Sequence, residues 1–540
     1  MTSDKVYFRQ DVVAEPLVNQ WYAWSYLIAP ATAAMYIANS HLKIMRSFVS
    51  APQVHVAALK NPAMLGGPFL DYDAGKTGEI TALINKTVTE QPHMLKLAEA
   101  IKTLDEMLQR EADGHSLEPL YQKVPDALKG YVELVYDLNN HPSIRFMEGL
   151  LYRSPYYNAS AQSIALYVDG REERRFAFSS PRLVSDEHLH LQIPFNSPAL
   201  DELFKMKQVP QPLAYIKSLL GVADEDEALL SSFFTSAPTA SPGRYHGDEI
   251  RIRYYGHACV LIETKEISIL CDPVVSYHDE AGIERYTYAD LPEEIDYVLI
   301  THNHQDHCMF ETLLQLRHKI KNIIVPRSNS GGLVDPSLKL ILKAIGFNNV
   351  YEIDEVEAIE IEGGSIFGVP FLGEHGDLSI RSKIAYLVTL HGRSVLFAAD
   401  SNNIEPKLYD HIYEVIGDVD VIFLGMECDG APLTWLYGPL LTKPMSRKMD
   451  QSRRFDGSNC DKGLELVKRL NPKQVYVYAM GQEPWLTYLT SIQYTDQSRP
   501  ILESNRLGQQ CQTQGVATER LFGQKEIMIP LKREVLETVL

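Results

Sequence analysis

The strongest chemical signal in the sequence is a short polar loop, His302-Asn303-His304-Gln305-Asp306-His307. Three imidazoles and one carboxylate lie close together in a chain that has 17 histidines among 540 residues. Imidazole and carboxylate are common protein ligands of transition metals. His302 and His304 can reach one metal, and Asp306 and His307 can reach a second. The spacing therefore predicts a dinuclear metal site, and a loop that is rich in histidine by chance is the weaker interpretation.

Two further segments could complete such a site. Asp400 follows the apolar segment 394–399, and α/β enzymes place site residues at the ends of strands. A carboxylate has two oxygens and can bridge two cations, although an aspartate at this place could also cap a helix. The polar segment 373–377 offers either Glu374 or His375 as a ligand, and composition does not decide between them.

The elements that would carry these residues alternate between strand-like and helix-like patterns. Ile250, Ile252 and Tyr254 alternate with charged residues, as in a half-buried strand. The segment 297–300 leads directly into the histidine loop. Further strand-like segments lie at 260–262, 267–270, 323–325, 394–399, 419–424 and 475–478. Strands that alternate with helices, with polar groups at strand ends, predict an α/β layered domain.

The sequence before residue 236 has a mixed pattern. A helix is predicted by apolar residues at helical spacing, namely Met94, Ala98, Ile101, Leu104 and Leu108. A strand is predicted by the alternation of Leu189, Leu191 and Ile193 with polar residues. The aromatic residues Trp21, Tyr22, Trp24 and Tyr26 are typical of a core or of a subunit interface. A mixed α+β domain is therefore expected here.

The clearest domain boundary is the segment 236–243, where small residues surround two prolines. Such a composition is typical of a flexible, partly extended linker. We therefore expect an N-terminal domain at 1–235, a linker at 236–248, a catalytic domain at 249–530 and a C-terminal tail at 531–540.

The charge and the cysteine content limit which binding partners and which cellular compartment we expect. The formal net charge of −19 disfavours nucleic acid as a partner. Six cysteines without a CxxC pair suit free thiols in a reducing compartment. The first residues lack the apolar segment of a signal peptide, and no stretch approaches the length of a membrane span. We therefore expect a cytoplasmic protein without membrane contact.

These residues resemble the metallo-β-lactamase superfamily. The resemblance rests on the histidine loop, the turn at Gly256 and His257, the pair Asp272 and Pro273, and Asp400. It implies an α/β fold in which the C-terminal domain is a metallo-β-lactamase αββα sandwich, with metals at one edge between the sheets. Hydrolases of this superfamily supply a last histidine to the second metal from a late loop. The matching stretch here, 475–485, contains no histidine.

Almost the entire chain, the N-terminal domain included, resembles the family of the diiron β-hydroxylase of chloramphenicol biosynthesis. The matching segments are 9–11, 21–26, 371–378, 398–401, 450–454 and 478–481. The resemblance implies a ligand set in which His302, His304 and Glu374 hold one iron, Asp306 and His307 hold the other, and Asp400 bridges them. Glu374 is thereby favoured over His375 as a ligand and is expected, with Asp400, to be catalytic. His375 and Glu427 are further polar residues that could reach the site.

The same resemblance implies the reaction. An O2-dependent non-haem diiron monooxygenase would β-hydroxylate an aminoacyl group held as a thioester on a nonribosomal peptide synthetase carrier domain, in natural-product biosynthesis. It would use two Fe ions, O2 as co-substrate and an external electron donor supplied by an unidentified reductase, and it would form a homodimer. Independently, three imidazoles and three carboxylates for two metals suit iron or manganese better than a four-coordinate zinc pair.

Two alternative functions remain open from the sequence. A dinuclear zinc hydrolase, acting as a phosphodiesterase, lactonase or thioesterase, would use the same fold and a metal-bound hydroxide. The late loop without histidine argues against it. A non-enzymatic protein with a degenerate site is disfavoured because all residues of the histidine loop are intact.

Docking of a phosphopantetheine arm or of an acidic carrier surface would need a basic region. The best candidates are the pairs Arg447 with Lys448 and Arg453 with Arg454. The competing interpretation of these four residues, a solvated surface loop, is favoured by their sequence context alone.

Overall fold

The computed structural model describes residues 5–169, 174–278 and 282–532. The start of the chain, where no signal peptide is expected, falls partly on residues 1–4, which lie outside the described residues. Most of the tail expected at 531–540 also lies outside them, because the description ends at residue 532. Among the described residues, no helix is both long enough and apolar enough to cross a membrane.

The N-terminal half mixes short sheets with helices. Its strands are β1 (Lys5–Phe8), β2 (Val12–Val18), β3 (Trp21–Tyr22), β4 (Val132–Tyr136), β5 (Pro142–Phe146), β6 (Gln162–Val168), β7 (Leu189–Leu191), β8 (Gln211–Pro212) and β9 (Phe234–Thr235). Its helices are α1 (Ser25–Ile28), α2 (Pro30–Tyr36), α3 (Leu42–Ser50), α4 (Pro52–Leu59), α5 (Thr77–Glu90), α6 (Pro92–Glu111), α7 (Glu148–Leu151), α8 (Pro198–Lys205), α9 (Leu213–Leu220) and α10 (Glu227–Ser232). A π-helical turn, Ile37–His41, joins α2 to α3.

These N-terminal elements agree with most of the sequence patterns. The helical pattern forms α6, and its five apolar residues are buried. The four aromatic residues between Trp21 and Tyr26 are buried within the chain. The alternation through Leu189 and Leu191 forms β7, but Ile193 lies beyond the end of that strand. The prediction was wrong at Ile193 because Pro194 follows it, and a proline has no N–H to continue a strand ladder.

The C-terminal half is built from two larger sheets. Its strands are β10 (Glu249–Tyr254), β11 (Val260–Glu263), β12 (Ser268–Cys271), β13 (Ile295–Leu299), β14 (Ile320–Pro326), β15 (Val350–Ile353), β16 (Ala358–Ile361), β17 (Gly364–Val369), β18 (Ala385–Leu390), β19 (Arg393–Phe397), β20 (Val421–Gly425), β21 (Gln474–Tyr478), β22 (Ala517–Arg520) and β23 (Lys525–Pro530). Its helices are α11 (Phe310–Leu316), α12 (Leu338–Ala344), α13 (Lys407–Ile416), α14 (Thr434–Tyr437), α15 (Arg447–Ser452), α16 (Cys460–Leu470), α17 (Thr487–Thr490) and α18 (Arg499–Thr513).

The two sheets stack as the inner layers of an αββα sandwich. One sheet has the order β15-β14-β13-β12-β11-β10-β23, and the other has the order β16-β17-β18-β19-β20-β21-β22. Side chains such as Ile252 and Phe397 fill the core between the sheets. Helices α13, α16 and α18 cover the second sheet, whereas α11 and α12 lie between the first sheet and the N-terminal half. The fold class predicted from the sequence is thereby confirmed.

A buried ionic cluster joins the two halves. Nη2 of Arg174 lies 2.7 Å from Oε2 of Glu311 on α11, and the same guanidinium also pairs with Glu15. Nε of Arg182 lies 2.6 Å from Oε2 of Glu15. Both carboxylates are fully buried. Because burial of an unpaired charge is costly, the cluster fixes how the N-terminal half sits against the helix that follows the histidine loop.

Candidate metal centre

The predicted site residues meet at one edge of the sandwich because several strands end there. The loop of His302 to His307 follows β13, Glu374 follows β17, Asp400 follows β19, Asp272 follows β12 and Glu427 follows β20. The edge lies beneath the N-terminal half, so these side chains are removed from bulk water. Residues from five separate strand ends therefore converge on one cavity.

One group of side chains consists of His302, His304 and Glu374. Nδ1 of His304 lies 2.8 Å from Oε1 of Glu374, and Nε2 of His302 lies 3.7 Å from Oε2 of the same carboxylate. All three side chains are buried. Their nearest donor atoms lie within 4.8 Å of one another, which is close enough for one ion to contact all three.

A second group surrounds His307 and Asp400. Oδ2 of Asp400 lies 3.1 Å from Nε2 of His307 and 3.9 Å from Nε2 of His302. The carboxylate of Asp400 therefore lies between the rings of His302 and His307. Asp306 and His307 also form a compact group of possible donors with His257, a residue for which the sequence alone suggested no ligand role.

Hydrogen bonds on the outer side of the histidines fix which ring nitrogen faces the cavity. Oδ2 of Asp272 lies 2.8 Å from Nδ1 of His307 and accepts the hydroxyl hydrogen of Thr301 at 2.6 Å. Nε2 of His307 is thereby left to face Asp400. Nε2 of His304 lies 3.0 Å from the hydroxyl of Tyr437, which leaves Nδ1 of His304 to face Glu374. Partners of this kind orient metal-binding histidines and set their tautomer.

His257 is tied to the late loop that lacks a histidine. The backbone N–H of Gly481 donates to Nδ1 of His257 at 3.1 Å, and the N–H of Ala479 donates to the carbonyl of His257 at 2.9 Å. Nε2 of His257 lies 3.2 Å from Oδ2 of Asp306. Because Nδ1 accepts a hydrogen bond, the tautomer with the proton on Nε2, on the side of Asp306, is favoured.

Backbone strain is concentrated at this edge. Several residues other than glycine have the left-handed conformation there, with φ of +66° at Glu374, +47° at Ala399, +49° at His257 and +39° at Asp272. Each such residue costs of order 1–3 kcal/mol and clusters of them are typical of functional sites. Ala399 directly precedes Asp400, so the strained turn aims that carboxylate back into the cavity.

The electrostatics of the cavity favour a cation. Burial opposes the charged form of Glu374, but His304 and His375 outweigh it and lower its pKa to about 2. Burial, together with the nearby carboxylates of Asp400, Asp306 and Glu374, raises the pKa of Glu427 well above its usual range. Burial and the neighbouring histidines lower the pKa of His302, which keeps its imidazole neutral and able to bind a metal.

Buried polar atoms without partners support the same conclusion. Among the described residues, Nε2 of His302, Oε2 of Glu374 and Oδ1 of Asp400 are buried and accept or donate no hydrogen bond. Buried polar groups are rarely left unsatisfied in native proteins. A pair of metal cations would satisfy all three atoms and would offset the clustered negative charge. The residues present therefore fit a dinuclear centre.

The two further candidates from the sequence also lie at the site. Nδ1 of His375 lies 2.8 Å from Oε2 of Glu374, and its ring stacks on His304 with centroids 4.7 Å apart. Glu427 lines the cavity of about 290 Å³ that contains His304, Asp306, Glu374 and Asp400. Tyr437, which contacts His304, is missed by the sequence reasoning because it carries no motif and lies 133 residues away from it.

The four basic candidates for docking have different surroundings. Nε of Arg453 donates to the carbonyl of Gly376 at 2.7 Å and so supports the segment of Glu374. Arg454 lines the metal cavity and lies 3.4 Å from Oδ1 of Asp429. Arg447 and Lys448 are exposed on α15.

Family models match two separate parts of the chain. A model described as the diiron non-heme beta-hydroxylase N-terminal domain matches residues 7–238. A model of the beta-lactamase superfamily domain matches residues 251–438, which include the histidine loop and Asp400.

Similar proteins are found among curated sequences and solved structures. The chain is 41% identical over 520 residues to the 4-amino-L-phenylalanyl-(CmlP-peptidyl-carrier-protein) 3-hydroxylase of Streptomyces venezuelae, which covers 95% of this chain and 98% of that protein. It is 28% identical over 174 residues to a UPF0173 metal-dependent hydrolase of Methanopyrus kandleri, covering 31% of this chain and 68% of that protein. The crystal structure of CmlA, a diiron beta-hydroxylase from Streptomyces venezuelae, superposes with a TM-score of 0.91 at 39% identity, covering 98% of this chain and 100% of that one.

Proposed function

This chain belongs to the family of diiron non-haem β-hydroxylases, and on that premise we propose that it hydroxylates the β-carbon of an aminoacyl group held as a thioester on a carrier domain of a nonribosomal peptide synthetase. The enzyme class and the diiron cofactor follow from the similarity over nearly the whole chain. The carrier-bound substrate is supported by the name of the relative from Streptomyces venezuelae, whose substrate is attached to a peptidyl carrier protein.

The proposed ligands follow the two groups of side chains in the cavity. His302, His304 and Glu374 would hold one iron, Asp306 and His307 would hold the other, and Asp400 would bridge them. Support comes from the short separations between these donor atoms and from the position of Asp400 between His302 and His307. Glu374 is preferred to His375 because both of its oxygens face the histidine loop.

The cofactor and the protein have different roles in the chemistry at the site. Two irons, when bound, supply the activation of O2 with electrons from an external donor. Asp272 holds the ring of His307, and Tyr437 holds the ring of His304, so that one nitrogen of each ring faces the cavity. Nε2 of His257 lies 3.2 Å from Oδ2 of Asp306 and thereby limits which carboxylate oxygen is free to bind. The buried cavity also excludes bulk water from the reacting centre.

The observation that carries the proposal is the donor set itself. Three imidazoles and three carboxylates converge on one buried cavity, while the late loop contributes Gly481 and Ala479 to His257 instead of a histidine to a metal. This set is oxygen-rich, which suits an iron centre better than a four-coordinate zinc pair. The zinc hydrolase considered from the sequence is less well supported.

The reaction can be tested with labelled oxygen. The iron-loaded protein, a reductant and ¹⁸O2 would be incubated with the 4-amino-L-phenylalanyl carrier protein of the relative, and the aminoacyl group would be analysed by mass spectrometry. We expect one ¹⁸O atom on the β-carbon and an intact thioester. Release of the free amino acid without ¹⁸O would support a hydrolase instead.

We also propose the organisation expected from the sequence. Residues 1–235 would form a domain for dimerisation and substrate access, joined by a linker at 236–248 to the catalytic domain at 249–530 and the tail at 531–540. A homodimer, a separate reductase and a cytoplasmic location complete the proposal. The location is supported by the six cysteines, which are all buried free thiols.

A further inference from the structure

A second cleft adjoins the metal cavity. It has a volume of about 560 Å³ and lies between α3 and the π-helical turn on one side and the segment 432–439 on the other. Gly66, Pro432 and Trp435 line both this cleft and the metal cavity. The cleft is therefore separated from the metal ligands by a thin wall only.

The wall is made by a contact between the two halves of the chain. Nε1 of Trp435 donates to the carbonyl of Gly66 at 3.0 Å. Gly66 has φ of +74°, and a Cβ added to it would lie 3.0 Å from Cβ of Ser491. The glycine thus allows the N-terminal segment to pass close to the catalytic half. One hydrogen bond closes the wall at this point.

Hydrogen bonds between the two halves of the chain hold the sides of the cleft, and polar residues line it. Nδ2 of Asn39 donates to the carbonyl of Pro439 at 2.8 Å, and the hydroxyl of Tyr36 donates to the carbonyl of Leu436. The lining residues include Ser40, Ser47, Ser179 and Thr434, which carry hydroxyl groups. Short π-helical segments such as Ile37–His41 are frequent at functional sites. A ligand with several amide groups would find hydrogen-bond partners along this path.

Exposed cations lie on the elements that border the cleft, in a chain whose net charge is −19. Lys43 and Arg46 are exposed on α3, and Lys443, Arg447 and Lys448 are exposed on and before α15. Among the described residues, no carboxylate pairs with any of these five cations. Helix α15 is fixed beside the cleft because Asp450 accepts hydrogen bonds from the N–H and hydroxyl of Thr434, at 2.9 and 2.8 Å.

Apolar side chains are exposed next to these cations. Met449 on α15 is 54% exposed, and Met64, in the segment that leads to Gly66, is 45% exposed. Methionine and arginine are enriched where proteins bind one another. The five cations with Met64 and Met449 are called the basic rim below.

We propose that the cleft is the access path of the phosphopantetheine arm and that the basic rim is the docking surface of an acidic carrier domain. The cations would bind the phosphodiester of the arm and the acidic surface of the carrier, and the arm would reach the metal cavity past Trp435. This inference rests on the proposed function. It also assigns the two basic pairs considered from the sequence to different roles, since Arg453 supports the segment of Glu374 and Arg447 and Lys448 contact the partner.

The docking surface can be tested by charge reversal. One variant carries Lys43→Glu and Arg46→Glu, a second carries Arg447→Glu and Lys448→Glu, and the control carries Arg153→Glu and Lys343→Glu. The control residues are exposed cations at a separate cleft between the two halves. The measurements are the Kd for the phosphopantetheinylated carrier domain of the relative and the KM for its aminoacyl form. We expect both constants to rise at least about tenfold in the two rim variants, and not in the control.

A short aminoacyl thioester separates failure of docking from failure of the proposed function. It carries neither phosphate nor carrier, so the rim variants should hydroxylate it as the wild type does. Equal Kd values in rim and control variants would overturn the docking proposal, even if the wild type hydroxylates both substrates. Absence of hydroxylation of either substrate by the iron-loaded wild type would instead refute the proposed function.

The path of the arm can be tested without changing charge. All six native cysteines are buried, so Ser40→Cys would place a reactive thiol in the cleft, and Ser330→Cys would place one in the separate cleft as a control. Each thiol is first converted to a thiopyridyl disulfide. The arm thiol of the carrier should attack the Ser40→Cys disulfide, form a protein–carrier disulfide and release thiopyridone. Exchange that is no faster than in the control would overturn the proposed path.

Discussion

Nε2 of His257 lies 3.2 Å from Oδ2 of Asp306, while Nδ1 of the same ring accepts the N–H of Gly481. In the related hydrolases, the late loop carries a metal-binding histidine. Here the backbone of this loop instead holds the ring of His257, which lies beside the proposed ligand Asp306. Because Nδ1 accepts a hydrogen bond, the tautomer with the proton on Nε2 is favoured, and we expect His257 to position Asp306 and not to bind a metal.

Replacement of His257 should selectively weaken metal binding at the proposed position of Asp306 and His307. We expect His257→Phe to lower the affinity of that position by about 10- to 100-fold, the usual effect of removing a partner that orients a ligand. Metal content after dialysis, measured by elemental analysis, should fall towards one iron per chain. His391→Phe, which changes a histidine outside the cavity, is the control. Unchanged metal content in His257→Phe would contradict the assigned role.

The choice between Glu374 and His375 can be decided by a matched pair of variants. Glu374→Gln removes the charge of a proposed ligand and should release the iron that we assign to Glu374, His302 and His304. His375→Gln removes only a ring that contacts Glu374, and this variant should keep both metals while its visible absorption shifts. Iron content and absorption spectra would be compared. Loss of iron in His375→Gln together with retention in Glu374→Gln would reverse the assignment.

The buried cluster between the halves should dominate their mutual stability. Arg174→Met leaves Glu311 with hydroxyl partners only and leaves Glu15 with Arg182 alone. We expect a loss of about 3 kcal/mol in the free energy of unfolding, as for other broken buried ion pairs. Arg145→Met breaks the exposed pair with Glu133 and should cost less than about 1 kcal/mol. Denaturant unfolding followed by circular dichroism would measure both, and equal losses would disprove the prediction.

Lys207 should make stability depend on pH. Burial, with a contribution from Lys319, lowers its pKa to about 7, although Asp11 and Glu311 oppose the shift. The unfolded chain, with a lysine pKa near ~10.4, binds more protons above pH 7 than the folded chain does. The contribution of this residue to stability therefore rises with pH, by roughly 1 kcal/mol per pH unit between about pH 7 and 10.

The measurement is the difference in Tm between wild type and Lys207→Met at pH 6.5 and at pH 9. The variant should gain most relative to wild type at the lower pH, where the buried ammonium is charged, and the gain should shrink at the higher pH. Lys205→Met, at an exposed residue two positions away, is the control. A difference that is constant across this range would show that Lys207 keeps the same charge in both states.

The sequence revealed those parts of the site that are local in the chain. The histidine loop is contiguous, and Asp400 follows a clear apolar strand, so both could be recognised without a structure. Glu374 could not be separated from His375 by composition, because the choice depends on how close the donor atoms of each side chain lie to those of the histidines. Tyr437 and the role of His257 depend on contacts between distant segments, which no local pattern records.

The same distinction applies to the fold. The strands and the helix α6 follow from hydrophobic periodicity, which reports one buried face at a time. The cleft beside Trp435 arises where α3 meets the segment 432–439, nearly 400 residues later in the chain. The ionic cluster of Glu15 and Arg174 with Glu311 was likewise invisible, since charged residues are usually exposed and their burial depends on tertiary pairing.

The most direct test of the central claim is metal analysis of protein produced in medium that contains both iron and zinc. We predict about two irons per chain and a visible absorption band that bleaches on reduction, because the donor set is rich in oxygen. The double variant with His302→Ala and Asp400→Ala should bind neither a pair of irons nor a pair of zincs. Two zincs per chain, no visible band, and no O2 consumption after reconstitution with iron would contradict the diiron assignment.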